Sequence, residues 1–182
     1  MIIYIRHAND EESHPKYKHD THITKEGKKE ITKFIHKLIK KYGYPDKIYF
    51  SPFQRCTETV TEMINEIVFI KTGKYPNCCL KCYSHEIELI EDHHLSRYFS
   101  KKDMKKPSVA PKTLKHKIPM DESHNEFHER LEKHITKVKK DVKENNEIIW
   151  CITHAITFKK IGKKLHVNTA DHIKFLDHFV YK

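Results

Sequence analysis

Three apolar stretches of this chain stop abruptly at side chains with chemistry in them. Ile2-Ile-Tyr-Ile5 runs into Arg6-His7 and then Asn9. Lys47-Ile-Tyr-Phe50 runs into Ser51-Pro52, with Arg55 following, and Ile148-Ile-Trp-Cys-Ile152 runs into Thr153-His154 and Ala155. One such exit could be a strand leaving the core for solvent; three point to a shared site, because the carboxyl ends of parallel strands lie along one edge. Two Arg and two His converging there would bind an anion, since a guanidinium offers paired donors matched to phosphate oxygens. A neutral imidazole can attack phosphorus and later leave. Phosphoryl transfer needs mainly positioning and stabilisation of charge, and neighbouring cations keep the imidazole neutral. No ligand cluster accompanies these residues, so the Arg pair would do a metal's electrostatic work and neither metal nor cofactor is expected.

The elements that must hold these residues are legible. Thr24 is a good helix N-cap. Ile31, Phe34, Ile35, Leu38, Ile39 and Tyr42 then keep the spacing of an amphipathic helix, with Gly43 at its C-terminal end. Ser51 and Pro52 are read as N-cap and first position of a second helix, with Cys56, Val60, Met63, Ile64, Ile67 and Val68 on its apolar face. Arg55 then sits near a helix start, where an anion is favoured.

A weak third strand is expected around Leu80 to Ile87. In Glu86-Ile-Glu-Leu-Ile-Glu-Asp92 the alternation puts Glu88 and Glu91 on opposite faces. Either could turn inward as a proton donor. Residues 93–119 show little periodicity and hold seven Lys against Asp103, which reads as a basic excursion over the sheet edge. Ser123-His-Asn-Glu126 is a capping box opening a long helix through Phe127, Leu131, Ile135, Val138 and Val142. A short helix over Ala155 to Leu165 and an edge strand over Ile173 to Tyr181 complete the chain. Alternating strands and helices predict a three-layer α/β/α sandwich with a mostly parallel sheet, in one domain over residues 1–182.

Composition narrows the partners. A net charge of +10 favours an anionic one. Only Arg6, Arg55, Arg97 and Arg130 among 35 basic residues are Arg, so each is a candidate for a planar fork that Lys cannot replace. The basic stretches lack the interleaved aromatics that stack bases, which argues against nucleic acid. No apolar run is long enough for a membrane span, and the N-terminus lacks a signal-peptide layout, so a cytoplasmic location is expected. Five Cys without such a signal read as free thiols, and Cys79-Leu-Lys-Cys82 lacks the second ligand pair of a zinc site.

With these residues in hand, the sequence resembles the histidine phosphatase superfamily, which includes the cofactor-dependent phosphoglycerate mutases. Arg6-His7 matches its Arg-His-Gly signature, and Thr24-Lys-Glu-Gly27 resembles its Leu-Thr-x-x-Gly helix start. Ser51-Pro-Phe-Gln-Arg55 with Thr59, Glu122-Ser123 with Phe127 and Arg130, and Thr153-His154 follow in the family's order. The resemblance implies a phosphoglycerate mutase-like fold and a phosphohistidine mechanism. His7 would be the nucleophile; Arg6, Arg55 and His154 would hold the phosphoryl group. Leu89-Ile-Glu91 fits the family's Leu-x-Glu acid, which favours Glu91 over Glu88. Asn9, Ser51, Glu88 and Ala155 would line the substrate side. Ala8 and Ala155 stand where the family favours Gly, so either turn could be reshaped. The expected activity is metal-independent hydrolysis of phosphate monoesters, including polyanionic ones. A phosphoglycerate-type mutase and a catalytically silent phospho-ligand binder are the alternatives. Oligomeric state is not legible.

Overall fold

In the computed structural model, residues 1–11, 20–76, 86–97 and 122–182 are described. The Cys79/Cys82 pair, most of the expected strand at Leu80 to Ile87, and Lys101 to Lys117 lie outside them.

Five strands form one sheet in the order β3-β2-β4-β1-β5. They are β1 (Ile2–Arg6), β2 (Lys47–Phe50), β3 (Glu88–Glu91), β4 (Ile149–Thr153) and β5 (His178–Tyr181). β1 to β4 run parallel, and β5 joins β1 antiparallel. Helices α1 (Lys25–Tyr42) and α2 (Gln54–Thr72) cover one face; α3 (His124–Asn145) and α4 (Ala155–Lys164) cover the other. Strand alternation feeds both layers. Ile3, Ile5, Ile48, Trp150 and Ile152 point to α1 and α2, while Ile2, Tyr4, Tyr49, Ile149 and Cys151 point to α3 and α4. The expected three-layer α/β fold is therefore present. No described helix is long and apolar enough to cross a membrane.

Three local expectations need correction. Among the described residues the third strand is Glu88–Glu91, beginning after Ile87 rather than ending at it, and it borders only β2. The last strand is only His178–Tyr181. Residues 173–177 make a turn instead, with Leu176 at φ 59° and the Asp177 carboxylate accepting from the Lys174 amide at 2.6 Å. Helix α2 begins at Gln54 rather than at Ser51 and Pro52. Phe53 occupies its cap without a side-chain bond, and Asp20 accepts from the Gln54 amide at 2.6 Å. The Ser51 hydroxyl is engaged elsewhere.

The loop after β1 is fixed by close approach. The Thr24 amide donates to the Asn9 carbonyl at 2.9 Å, and a Cβ on Gly27 would lie 2.5 Å from that same oxygen. Only glycine lets the start of α1 seat against the residues that follow His7.

Candidate active site

Strand register brings the chemistry together. The His7 amide donates to the Thr153 carbonyl at 2.9 Å, and the Ser51 amide to the Ile152 carbonyl at 3.1 Å. The exits of β1, β2 and β4 therefore stand side by side at the carboxyl edge. Arg55 projects into them from the first turn of α2. His7, Ser51, Arg55 and His154 are each under 5% exposed.

Hydrogen bonds select the tautomer of each imidazole, because a guanidinium only donates and a carbonyl only accepts. Arg55 Nε lies 3.3 Å from His7 Nε2, and His7 Nδ1 lies 2.8 Å from the Ala8 carbonyl. Nδ1 therefore carries the proton of His7, and Nε2 presents a lone pair. Arg55 Nη2 lies 3.0 Å from His154 Nδ1, and His154 Nε2 lies 2.9 Å from Ser51 Oγ. His154 thus holds its proton on Nε2 and donates to Ser51. One guanidinium spans both rings, whose centroids are 5.4 Å apart.

Burial, then the charge of Arg55, push the His7 pKa well below the usual imidazole range; the bond to Ala8 opposes this, and Arg6 and Arg97 add to it. His154 moves the same way, through burial, then Arg55 and His7. Both rings are neutral near pH 7. Cys56 lies 3.7 Å from His154 Nε2, but burial pushes its thiol up to about 12, so it is not a competing nucleophile.

A cavity of about 570 Å³ opens over these groups, lined among others by Arg6, His7, Asn9, Arg55, His154 and Ala155. Arg6 is held against its wall: it donates to the Ile173 carbonyl and lies 4.0 Å over the Phe175 ring. The amino end of α4 also opens here, at Ala155 and Ile156, and a helix N-terminus favours an anion.

A family model of the histidine phosphatase superfamily (branch 1) matches residues 2–176. The chain belongs to this superfamily. No curated protein matches it. Solved structures similar to it include ecdysone phosphate phosphatase from Bombix mori, at 13% identity and a TM-score of 0.66, over 97% of this chain and 86% of that one. Phosphoglycerate mutase from Bacillus anthracis matches at 15% identity and a TM-score of 0.66, over 100% and 87%. The protein histidine phosphatase SixA matches at 11% identity and 0.57, over 96% and 83%. At such identities the likeness shows the fold, which is phosphoglycerate mutase-like.

Not every expected residue of this superfamily member reaches the cavity. Glu88 does not: it begins β3, pairs in register with Lys47 at the opposite end of the sheet, and lies 3.5 Å from the Lys47 ammonium. It therefore stands away from the cavity lining. Glu91 stands at the correct edge, opposite Phe50 in register, but is exposed and absent from the cavity lining. Ser51 lies behind His154 rather than in the cavity lining, with its hydroxyl against that ring. Ala8 and Ala155 both avoid positive φ, so neither turn needs the glycine that the family favours.

Other lining residues escaped sequence reasoning. Asp10 and Glu11 supply carboxyl groups to the cavity. Asp10 accepts from Thr21 at 2.5 Å and stands 3.8 Å from Arg55 Nε and 3.9 Å from His7 Nδ1. Arg97 lines the cavity although the 93–119 region was read as an excursion; its rarity among the basic residues was the available signal. The turn before Arg97 is pinned. Arg130 donates to the carbonyls of His93, His94 and Ser96, Thr153 to that of Leu95 at 2.7 Å, and Thr157 to that of Ser96 at 3.0 Å. Among the described residues one group could hold a metal ion: Asp92, His93 and His94, with ligand atoms within 4.8 Å of one another. It lies outside the cavity lining, and the Asp92 oxygens already accept from His94 and His134.

Proposed function

We propose that this chain is a phosphatase that hydrolyses phosphate monoesters through a phosphohistidine on His7. The observation that carries this reading is the tautomer of His7, whose Nε2 lone pair faces the cavity beside Arg55. In the first step Nε2 bonds to phosphorus as the ester P–O bond breaks. Arg55 Nε, which donates to Nε2 in the free protein, transfers that donation to a phosphoryl oxygen. Arg6 and His154 take further oxygens, so charge on the transferring group is met by fixed donors. Arrival of the anion favours the charged form of His154, and a proton taken up on Nδ1 turns that nitrogen into a donor. In the second step water attacks phosphorus and the N–P bond breaks, releasing phosphate.

The leaving oxygen needs a proton, and Glu91 and Asp10 are the carboxyl groups to compare. A general acid contributes about 10²- to 10⁴-fold, most for poor leaving groups. The responsible residue is the one whose amide variant (Glu91→Gln or Asp10→Asn) loses alkyl phosphates and keeps activated aryl phosphates.

The decisive experiment traps the intermediate. Quenching turnover of a labelled monoester is expected to give an acid-labile, base-stable adduct on His7, and His7→Ala is expected to abolish turnover in a folded protein. Phosphate must appear in solution rather than on a second organic acceptor; transfer to an acceptor would make the chain a mutase. Turnover with no adduct, or with an adduct on another residue, overturns the mechanism. Binding without turnover would make the chain a phospho-ligand binder.

A further inference from the structure

Helix α4 begins at the catalytic cavity and carries a second, basic feature away from it. Ile156, Lys159, Lys160 and Lys163 fall at i, i+3, i+4 and i+7, so they form one stripe along the helix. Ile156 lines the catalytic cavity and is 45% exposed. The three Lys line a separate groove of about 380 Å³, whose other wall is Val167, Asn168 and Thr169.

That wall is built. The Val167 amide donates to the Gly162 carbonyl at 2.9 Å, and a Cβ on Gly162 would stand 2.5 Å from Thr169 Cγ2. Glycine there lets the 167–169 segment lie close against α4. Lys159 has Asp171 at 3.6 Å, but among the described residues no carboxylate comes within ion-pair distance of Lys160 or Lys163. The groove thus offers positive charge beside a site already suited to an anion.

We propose that this groove holds an acidic segment of a phosphorylated polypeptide whose phosphoryl group enters the cavity at His7, an inference that rests on the phosphatase reading above. The span selects the ligand. From Ile156 to Lys160 and Lys163 is about 6 to 10 Å along the axis at the helical rise. An extended polypeptide covers that in roughly two to three residues. A ligand confined to the catalytic cavity does not reach the lysines, which line the separate groove.

The test uses two fluorescent phosphotyrosine peptides. One carries Glu three and four residues to either side of the phosphorylated position; the other carries Gln there. Binding is read by anisotropy on protein bearing His7→Ala, so nothing turns over. The Glu peptide is expected to bind about tenfold more tightly, as a few partly screened ion pairs supply. Lys160→Gln with Lys163→Gln is expected to erase that preference. In the protein with His7 intact, the same double substitution is expected to leave kcat/KM for p-nitrophenyl phosphate within about twofold, as for surface changes away from a site. Equal binding of the two peptides, or a preference that survives the double substitution, overturns the proposal. So does lysine-dependent binding of phosphatidylserine vesicles without peptide discrimination, which would assign the groove to a membrane surface. Peptide discrimination in a protein that releases phosphate from no substrate would instead sink the hydrolytic reading and leave the groove standing.

Discussion

Two buried polar clusters lie on either side of the 93–97 turn, and they are built on opposite plans. Beneath α3, each cationic or imidazole group has a carboxylate in contact. Arg130 donates to Glu122 through two nitrogens, one at 2.9 Å, and His134 meets Asp92 at 2.8 Å. At the carboxyl edge, Arg55 instead donates to two imidazoles and Arg6 to a carbonyl, and Asp10 pairs with Arg55 only at the longer distance of 3.8 Å. A cation matched to an acid is a fastening. Cations and neutral imidazoles turned toward one another are a receptor for negative charge. The two Arg-His clusters share residue types, so their partners separate scaffold from site.

The largest expected effect tests the receptor. Arg55→Ala is expected to cost about 10³- to 10⁵-fold in kcat/KM, the range for a guanidinium that stabilises transferring phosphoryl charge, with little change in chemical denaturation. Arg130→Ala is expected to do the reverse in kind. It leaves Glu122 buried without its partner and removes the Arg130 bonds to three carbonyls, a loss of about 3 to 5 kcal/mol in unfolding free energy. If Arg55→Ala unfolds the protein and Arg130→Ala leaves it stable, the two plans have been assigned backwards.

The pH profile sharpens the contrast. His7 and His154 have folded pKa values below the ordinary imidazole value. Their neutral forms therefore persist below about pH 6.5, and the acid limb of kcat/KM is expected on the low side of that value. The same shifts mean that stability is full above about pH 6.5 and falls as pH drops below it, because the unfolded chain takes up those protons first. Asp92 differs. Burial raises its pKa, but bonds from His134 and His94 more than reverse this and hold it well below the carboxylate range. Its contribution is present above the usual carboxylate pKa and is lost only as pH falls through the lowered value. An acid limb above pH 6.5 would count against neutral, buried site imidazoles. The smallest effect is the control: Glu88→Gln, on the far edge, is expected to change activity less than about twofold and stability by under about 0.5 kcal/mol.

The sheet's parallel strands were legible because β1, β2 and β4 are apolar runs that end abruptly in polar residues. The convergence of Arg6, His7, Arg55 and His154 followed, since strand ends share an edge. Asp10 and Arg97 did not follow. Asp10 enters the site through a loop that Gly27 and Asn9 seat on α1, and Arg97 through a turn pinned by Arg130 from α3. Neither placement has a sequence period. Arg130 and His134 look like polar positions on an amphipathic helix, yet both are buried because each has an acid waiting inside. The placement of Glu88 at the far edge was not legible for a simpler reason. Alternation assigns a side chain to a face of the sheet but not to an end of the strand, and the end is what a site at the carboxyl edge requires.

The turn at residues 173–177 also sets an order of events. Arg6 lies on the first strand, but the carbonyl and ring that orient it belong to Ile173 and Phe175, far later in the chain. His7 likewise takes its place only when β4 arrives, more than 140 residues later. Synthesis of β1 therefore precedes, by most of the sequence, synthesis of the residues that hold Arg6 and His7 in place. The cavity is complete only after the 173–177 turn has been synthesised and has closed over the first strand.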